Sequence, residues 1–280
     1  MNIKDTDPLT ITDKGTGRKY YGGDQAWFKE NTRAYGGCGV VAGTNMLRTI
    51  LLKDDSIEVK GEELKKLKDT EVTKDDYIRV MNNMYKKMMV FEVPIINRIY
   101  NAVKRNAKWT KIIIPSFGMS QGTFIRGLLS YAKENGILLH SHILTTTYCS
   151  YDKALEFIKE GLSDCGAVTI LTSFNRHPLK LYSNEEDKKT SESSMRSHFA
   201  TVTEILYNDK NEPVLKMSTW GRMATVSYKE LYHTWQKRRA YSSTLFYFTK
   251  AASNAVYRAD IRNSAMTILR SVKQTLLKKA

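Results

Sequence analysis

Helical and strand patterns occupy different parts of this 280-residue chain, and that separation constrains its fold more than any other feature. Apolar residues recur at helical spacing over 38–52, 73–106 and 121–135, with a break at Pro94 in the second stretch. Strand patterns, rich in β-branched and aromatic residues, gather later in the chain. This order predicts an α+β fold in which a helical lobe packs on an antiparallel β-sheet.

The second half alternates predicted strands with two short helices and one long polar stretch. The predicted strands are 140–148, 166–174, 198–207, 212–221 and 240–249. The predicted helices are 150–162, with Ser150 as N-cap, and 227–236. Residues 175–197 are predicted to form a polar loop that could line or cover a cleft.

The chain divides into three predicted parts. Residues 1–22 are interpreted as an N-terminal leader segment, 23–250 as one domain and 251–280 as a basic C-terminal helix that starts near Asn254. With five prolines and no segment rich in proline or serine, the sequence shows no flexible linker.

The net charge of +15 raises the question of an anionic partner. Basic and acidic residues are interspersed over most of the chain, which favours solvated faces over a binding patch, and no nucleic-acid partner is expected. Only residues 251–280 carry charge of mainly one sign, with six basic residues and a single acidic one, Asp260. An alternative for this helix is a weak contact with an anionic surface.

Cysteine usage and hydropathy limit the class of protein. Three cysteines do not make a disulfide framework, and without a CxxC pair no zinc site, other metal or cofactor is predicted. Cys149 and Cys165 are interpreted as structural, Cys165 opening a strand. The polar N-terminus lacks a secretory core, and no run approaches the ~18 apolar residues of a membrane span, so a soluble, cytoplasmic protein is expected.

The stretch "AYGGCGVVAGTNML", residues 34–47, places Cys38 among three glycines where a predicted helix begins. A helix N-terminus stabilises a thiolate, which is the nucleophilic form of cysteine. The glycines would leave space for a substrate backbone to reach the sulfur. The alternative is a small buried cysteine in a tight turn.

A nucleophilic cysteine needs a base, and His198 is the best placed of the five histidines. It follows the polar stretch and opens the apolar strand "HFATVTEI". The next strand, "LKMSTWG" at 215–221, would return beside it in a hairpin. Ser218 could then orient the imidazole, and Trp220 could shield that contact from water.

These motifs resemble the papain-like cysteine peptidases. The glycine-framed cysteine that opens a helix, the later histidine that opens a strand, and "KMSTWG", similar to the family's "KNSWG", occur in the family's order. The 160 residues from Cys38 to His198 fit the family's range. The short "CG" motif is most similar to the bacterial branch that includes bacteriocin-leader-processing, or double-glycine-leader, peptidases.

The resemblance implies a role for each motif residue. Cys38 would be the nucleophile and His198 the general base and acid. Ser218 stands where the family has asparagine, and a serine has a shorter reach, so Asp209 or Asn211 in the adjoining turn are alternatives.

The family also uses a glutamine upstream of the cysteine as an oxyanion-hole donor. The residue at the family's usual spacing is Thr32, so Gln25, thirteen residues upstream, is the preferred candidate and Asn31 the alternative.

The expected function is therefore cleavage of peptide or related amide bonds in a peptide or protein substrate through an acyl-enzyme. The alternatives are a deamidating or acyl-transfer relative and a papain-fold binding module with weak or no activity.

Overall fold

The computed structural model describes residues 7–88, 118–146, 149–172, 179–185, 188–195, 197–236 and 243–264. Within these ranges the protein is mixed α+β, as predicted. The helices are α1 Asn31–Gly36, α2 Cys38–Lys53, α3 Glu62–Lys65, α4 Lys74–Tyr85, α5 Gln121–Glu134, α6 Tyr151–Cys165, α7 Tyr228–Gln236, and α8, helical over 254–264. The strands are β1 Thr10–Thr12, β2 Lys19–Tyr21, β3 Val72–Thr73, β4 Leu139–Thr145, β5 Val168–Leu171, β6 Leu179–Glu185, β7 Lys188–Met195, β8 Phe199–Tyr207, β9 Pro213–Thr219, β10 Arg222–Ser227 and β11 Thr244–Lys250.

The large sheet has the strand order β4-β11-β5-β8-β9-β10-β6-β7, and its neighbouring strands are antiparallel. Its centre is the β8–β9 hairpin, in which Thr201 pairs with Ser218. This register brings the start of β8 to the end of β9, as the sequence predicts. A small sheet, β2-β1-β3, lies outside it.

Helix α2 is the centre of the helical layer, and its first fourteen residues are all buried. It packs on β8 on one side and on α4 and α5 on the other. Close packing explains Gly43, where a Cβ would come within 2.8 Å of the Met88 side chain and 3.0 Å of Met84. The glycine weakens the helix by about 1 kcal/mol relative to alanine but lets α4 approach.

Several predicted elements agree with the structure. Helix α2 covers the predicted 38–52, α5 the predicted 121–135, and α6 begins after Ser150, whose side chain caps it by accepting from the Lys153 N–H. Of the helix predicted over 73–106, α4 accounts for the first part, and 89–117 lie outside the described residues.

Two predictions for the second half are wrong, and one strand is missed. Residues 175–197 are not simply a loop, because they contain the β6–β7 hairpin. Strand β10 was not predicted at all. Cys165 ends α6 rather than opening a strand, and its Sγ bonds to the Gly161 carbonyl oxygen one turn earlier.

The segment interpreted as a leader is packed into the folded body from residue 7 onward. Leu9 and Tyr21 are fully buried. The Lys216 ammonium on β9 pairs with Asp7 at 2.9 Å, and Tyr21 shares a 2.7 Å hydrogen bond with Thr203 on β8. Residues 7–22 therefore help to hold the β8–β9 hairpin in place.

The start of the basic C-terminal helix docks on the sheet. Asp260 accepts from the Ser141 N–H of β4 at 2.8 Å and lies 2.9 Å from His140 Nδ1. The basic residues from 265 onward lie outside the described ranges. Among the helices in the described part of the chain, none is long and apolar enough to cross a bilayer.

Candidate active site

A cleft lies between the N-terminal half of α2, the start of β8 and the end of β9. Four segments distant in sequence contribute to it. Its lining residues are Gln25, Cys38, Val41, Ala42, Asn45, His198, Phe199, Ala200, Thr201, Ser218, Thr219 and Trp220. The structure thus brings Gln25, Cys38, His198, Ser218 and Trp220 to one place, whereas the other predicted site residues lie elsewhere.

Cys38 is the first residue of α2, as predicted, and is 7% exposed. Burial raises the pKa of its thiol, although the backbone N–H groups of Phe199, Gly39 and Cys38 itself oppose the shift. The sequence argument for a thiolate at a helix N-terminus is therefore corrected, because burial outweighs the N–H groups and Cys38 is a neutral thiol at pH 7.

The space beside Gly37 and Gly39 is occupied by other protein atoms, so it is not left open for a substrate backbone as the sequence predicts. A Cβ at Gly37 would come within 2.4 Å of the Arg33 carbonyl oxygen and 2.6 Å of the Phe28 ring. A Cβ at Gly39 would come within 2.9 Å of the Met119 sulfur. These glycines let α1 and Met119 pack closely around the helix start, which fixes the position of the cysteine.

His198 immediately precedes β8 and is held at both its backbone and its ring. Its carbonyl oxygen accepts from the Thr172 N–H at 2.9 Å, and its Nε2 lies 2.8 Å from Thr219 Oγ1. The Trp220 ring stacks on the imidazole at 4.5 Å between centroids, as the shielding prediction requires. Burial lowers the pKa of His198 to about 3, so the imidazole is neutral at pH 7.

Trp220 reaches that position because of a strained turn. Trp220 and Gly221 link β9 to β10, and both have positive φ, 50° and 68°, as a two-residue type I′ hairpin turn requires. Positive φ is unfavourable for a tryptophan. Its ring contact with His198 offsets part of that cost.

The prediction that Ser218 orients His198 is corrected by the geometry. Ser218 Oγ donates to the Tyr21 carbonyl oxygen at 2.6 Å and accepts from Asn45 Nδ2 at 3.1 Å. Thr219 Oγ1, one residue later, lies 2.8 Å from His198 Nε2 instead. Thr219 is therefore the partner of His198.

The alternatives in the turn and on α1 do not reach the cleft. Asp209 and Asn211 lie in the β8–β9 turn, and His198 is at the other end of β8, roughly 30 Å away at ~3.3 Å per residue. Neither can replace Ser218. Asn31 begins α1 and does not line the cleft.

Gln25 lines the cleft from a short 3₁₀ helix, Gln25–Trp27, that the Asp24 side chain caps. One N–H of its carboxamide donates to the Tyr35 carbonyl oxygen at 3.2 Å, and the buried Oε1 has no hydrogen-bond partner. A primary amide carries two N–H donors, and the bond to Tyr35 uses one of them. This placement favours Gln25 over Asn31.

Sequence reasoning missed Thr219 and Asn45. Thr219 was missed because the resemblance assigns the residue that orients the imidazole to the family's asparagine position, which is Ser218 here. Asn45 could have been found from the sequence, because an amide side chain in the middle of a buried helix must form hydrogen bonds with other parts of the protein.

The cleft combines a thiol, an imidazole and amide donors but no charged ligand cluster. Among the described residues, no group of three His, Cys, Asp or Glu side chains could hold a metal ion. The same residues include no hydrogen bond between Cys38 Sγ and His198. Cys38 and His198 therefore face one cleft as a neutral thiol and a neutral imidazole.

No protein-family model matches the chain, and no curated protein sequence matches it.

Proposed function

We propose that the protein is a papain-like cysteine peptidase that cleaves peptide or related amide bonds. One observation carries this: Cys38, His198 and Gln25, the nucleophile, base and oxyanion-hole donor that the resemblance implies, line a single cleft although up to 173 residues separate them. The buried helix that begins at the cysteine and packs on an antiparallel sheet supports the papain-like fold.

The first step is acylation of Cys38. The Cys38 thiol and the His198 imidazole are both neutral before the substrate reacts. The thiol proton therefore passes to His198 as the sulfur attacks the substrate carbonyl carbon. The backbone N–H of Cys38 and the second N–H of Gln25 are the donors for the developing oxyanion. The C–N bond then breaks, the imidazolium gives its proton to the leaving amine, and a thioester remains.

The second step is hydrolysis. Water gives a proton to His198 and attacks the thioester, the C–S bond breaks, and the sulfur recovers its proton from the imidazolium. Thr219 holds Nε2 through both steps, which leaves Nδ1 to exchange the proton. Stacking of Trp220 on the ring keeps water from the Thr219 contact.

A non-catalytic binding module is the second candidate, and one observation favours it. The described residues contain no hydrogen bond from Cys38 to His198, and burial disfavours the charged form of both. In that case Cys38 would react as an ordinary buried thiol.

The experiment is a search for cleavage of a library of synthetic end-blocked peptides, with new termini identified by mass spectrometry. We expect products from the wild type, none from Cys38→Ala, and a loss of about 10²–10⁴ in rate for His198→Gln. Mass changes at glutamine without chain cleavage would indicate the deamidating alternative.

The matched control is Cys149→Ala, because Cys149 is also 7% exposed and its thiol pKa is likewise raised by burial, but it does not line the cleft. Equal product from Cys38→Ala and the wild type would refute the proposal. No product from any variant, with slow alkylation of Cys38, would favour the binding module.

A further inference from the structure

A buried cluster of hydrogen bonds, here called the Asn45 clamp, joins the helical layer to the sheet behind the cleft. Its centre is Asn45, which is 1% exposed. Its partners are Gly23, Tyr77, Thr201 and Ser218.

Every hydrogen-bonding position of the Asn45 carboxamide is occupied. Nδ2 donates to Ser218 Oγ at 3.1 Å and to Thr201 Oγ1 at 3.3 Å. Oδ1 accepts from the Gly23 N–H at 3.1 Å and from the Tyr77 hydroxyl. Two donors on one side and two acceptor positions on the other allow a single orientation of the amide, so the clamp is rigid.

The clamp is positioned to set the geometry of Cys38. Asn45 follows Cys38 by seven residues, which is about two helical turns and ~10 Å along the same face of α2. Both residues line the cleft. Movement of Asn45 relative to the sheet would therefore carry Cys38 with it.

The same clamp holds the strand ends that carry His198. Ser218 directly precedes Thr219, the hydrogen-bond partner of His198. Thr201, three residues after His198, pairs with Ser218 across the hairpin. The clamp thus grips β8 and β9 beside the imidazole.

Gly22 closes the clamp from the opposite side. Its φ is +75°, and a Cβ there would come within 2.1 Å of Ser218 Oγ and 2.8 Å of Asn45 Nδ2. The adjacent Tyr21 carbonyl oxygen accepts from Ser218 Oγ at 2.6 Å. Gly22 therefore leaves no room for a side chain between itself and the clamp, and the Tyr21 carbonyl oxygen fixes the Ser218 hydroxyl.

We propose that Asn45 is a positioning residue that, through Ser218, sets the separation of Cys38 from His198. This rests on the proposed function in one respect, that the separation matters for reaction at Cys38. Because no hydrogen bond in the described structure ties the thiol to the imidazole, their separation is fixed by the scaffold, and the clamp bonds the helix that carries Cys38 to the two strands beside His198.

The test measures how strongly Cys38 depends on His198. Iodoacetamide alkylation of Cys38 is measured at pH 7 by mass spectrometry relative to Cys149 of the same molecule, with and without His198→Gln. We expect the rate to fall at least about tenfold on removal of His198 in the wild type. The ratio of the Cys38 alkylation rate with His198 to the rate without it should be at least about threefold smaller in the Ser218→Ala and Asn45→Leu backgrounds. The reason is that the thiol and the imidazole are no longer held in register there.

The control is Thr44→Val, which removes a buried hydroxyl from the next position of α2. That hydroxyl bonds to the Val40 carbonyl oxygen within the helix and contacts Met84, so it plays no part in the clamp. Its ratio should match the wild type. An unchanged ratio in both Ser218→Ala and Asn45→Leu would overturn the proposal.

A second readout does not depend on catalysis. The midpoint of the His198 ring titration, followed by NMR in the folded state, should rise by more than about one pH unit in Ser218→Ala, because a loosened interface admits water to the imidazole. Thr44→Val should not move it. If removal of His198 left the alkylation rate of Cys38 unchanged in the wild type, the proposed function would fail. The titration midpoint of His198 would then be the remaining test of the clamp. An unchanged midpoint in Ser218→Ala would refute the role of the clamp.

Discussion

Acid should destabilise this protein through His198. Burial lowers the pKa of this imidazole to about 3, whereas in an unfolded chain it titrates near ~6.5. Between these values the unfolded state binds a proton that the folded state excludes, so the free energy of unfolding falls as the pH falls. The contribution is fully present above pH ~6.5 and is lost progressively toward pH ~3.

The size of this effect follows from the two pKa values. At ~1.4 kcal/mol per pH unit, His198 alone removes about 3 kcal/mol between pH 7 and pH 4. Carboxylates titrate over part of the same range, so the informative quantity is the difference between the wild type and His198→Gln. Glutamine keeps a polar group near Thr219 but carries no titrating proton.

The assay is urea unfolding at pH 7, 6, 5 and 4 for the two proteins. The wild type should lose about 3 kcal/mol more than His198→Gln over this range. His233→Gln serves as the control, because His233 is exposed on α7. Parallel pH profiles for wild type and His198→Gln would refute the claim that His198 is buried and neutral.

Three further substitutions test separate parts of the structure. Arg48→Leu should destabilise the fold by about 3 kcal/mol in urea unfolding, because the buried guanidinium donates to four carbonyl oxygens that would lose their partner. Gly22→Ala should cost at least about 3 kcal/mol in the same assay, because its φ is positive and the added Cβ collides with Ser218. Trp220→Asn should relieve the positive φ of the turn but expose His198, so the His198 pKa measured by NMR should rise; an unchanged value would show that the indole does not exclude water.

The sequence predicted the elements that present the site because those elements follow local rules. The apolar spacing after Cys38 marks a buried helix, and β-branched runs on both sides of 208–212 mark the β8–β9 hairpin. A hairpin necessarily brings the start of one strand to the end of the next. The meeting of His198 with the end of β9 was therefore predictable without knowledge of the tertiary structure.

Other features depended on packing that no local pattern reports. Strand β10 escaped prediction because Trp-Gly is not a usual two-residue turn, and its positive φ at Trp220 is held by the contact with His198. The direction of the Cys38 pKa shift was not predictable, because the backbone N–H groups and burial act in opposite directions and only the packed structure shows that burial is the larger effect. The contact of His198 with Thr219 rather than Ser218 was not predictable either, because Ser218 bonds to Tyr21 and Asn45, which are distant from it in sequence.

The most direct test of the account is to trap acylation at Cys38. The protein is mixed with a blocked glycine nitrophenyl ester, a small activated acyl donor, then quenched in acid and mapped by mass spectrometry. The account predicts an acyl group on Cys38 that turns over in the wild type and forms slowly in His198→Gln. Acylation of Cys38 no faster than of Cys149, or at a rate independent of His198, would contradict it.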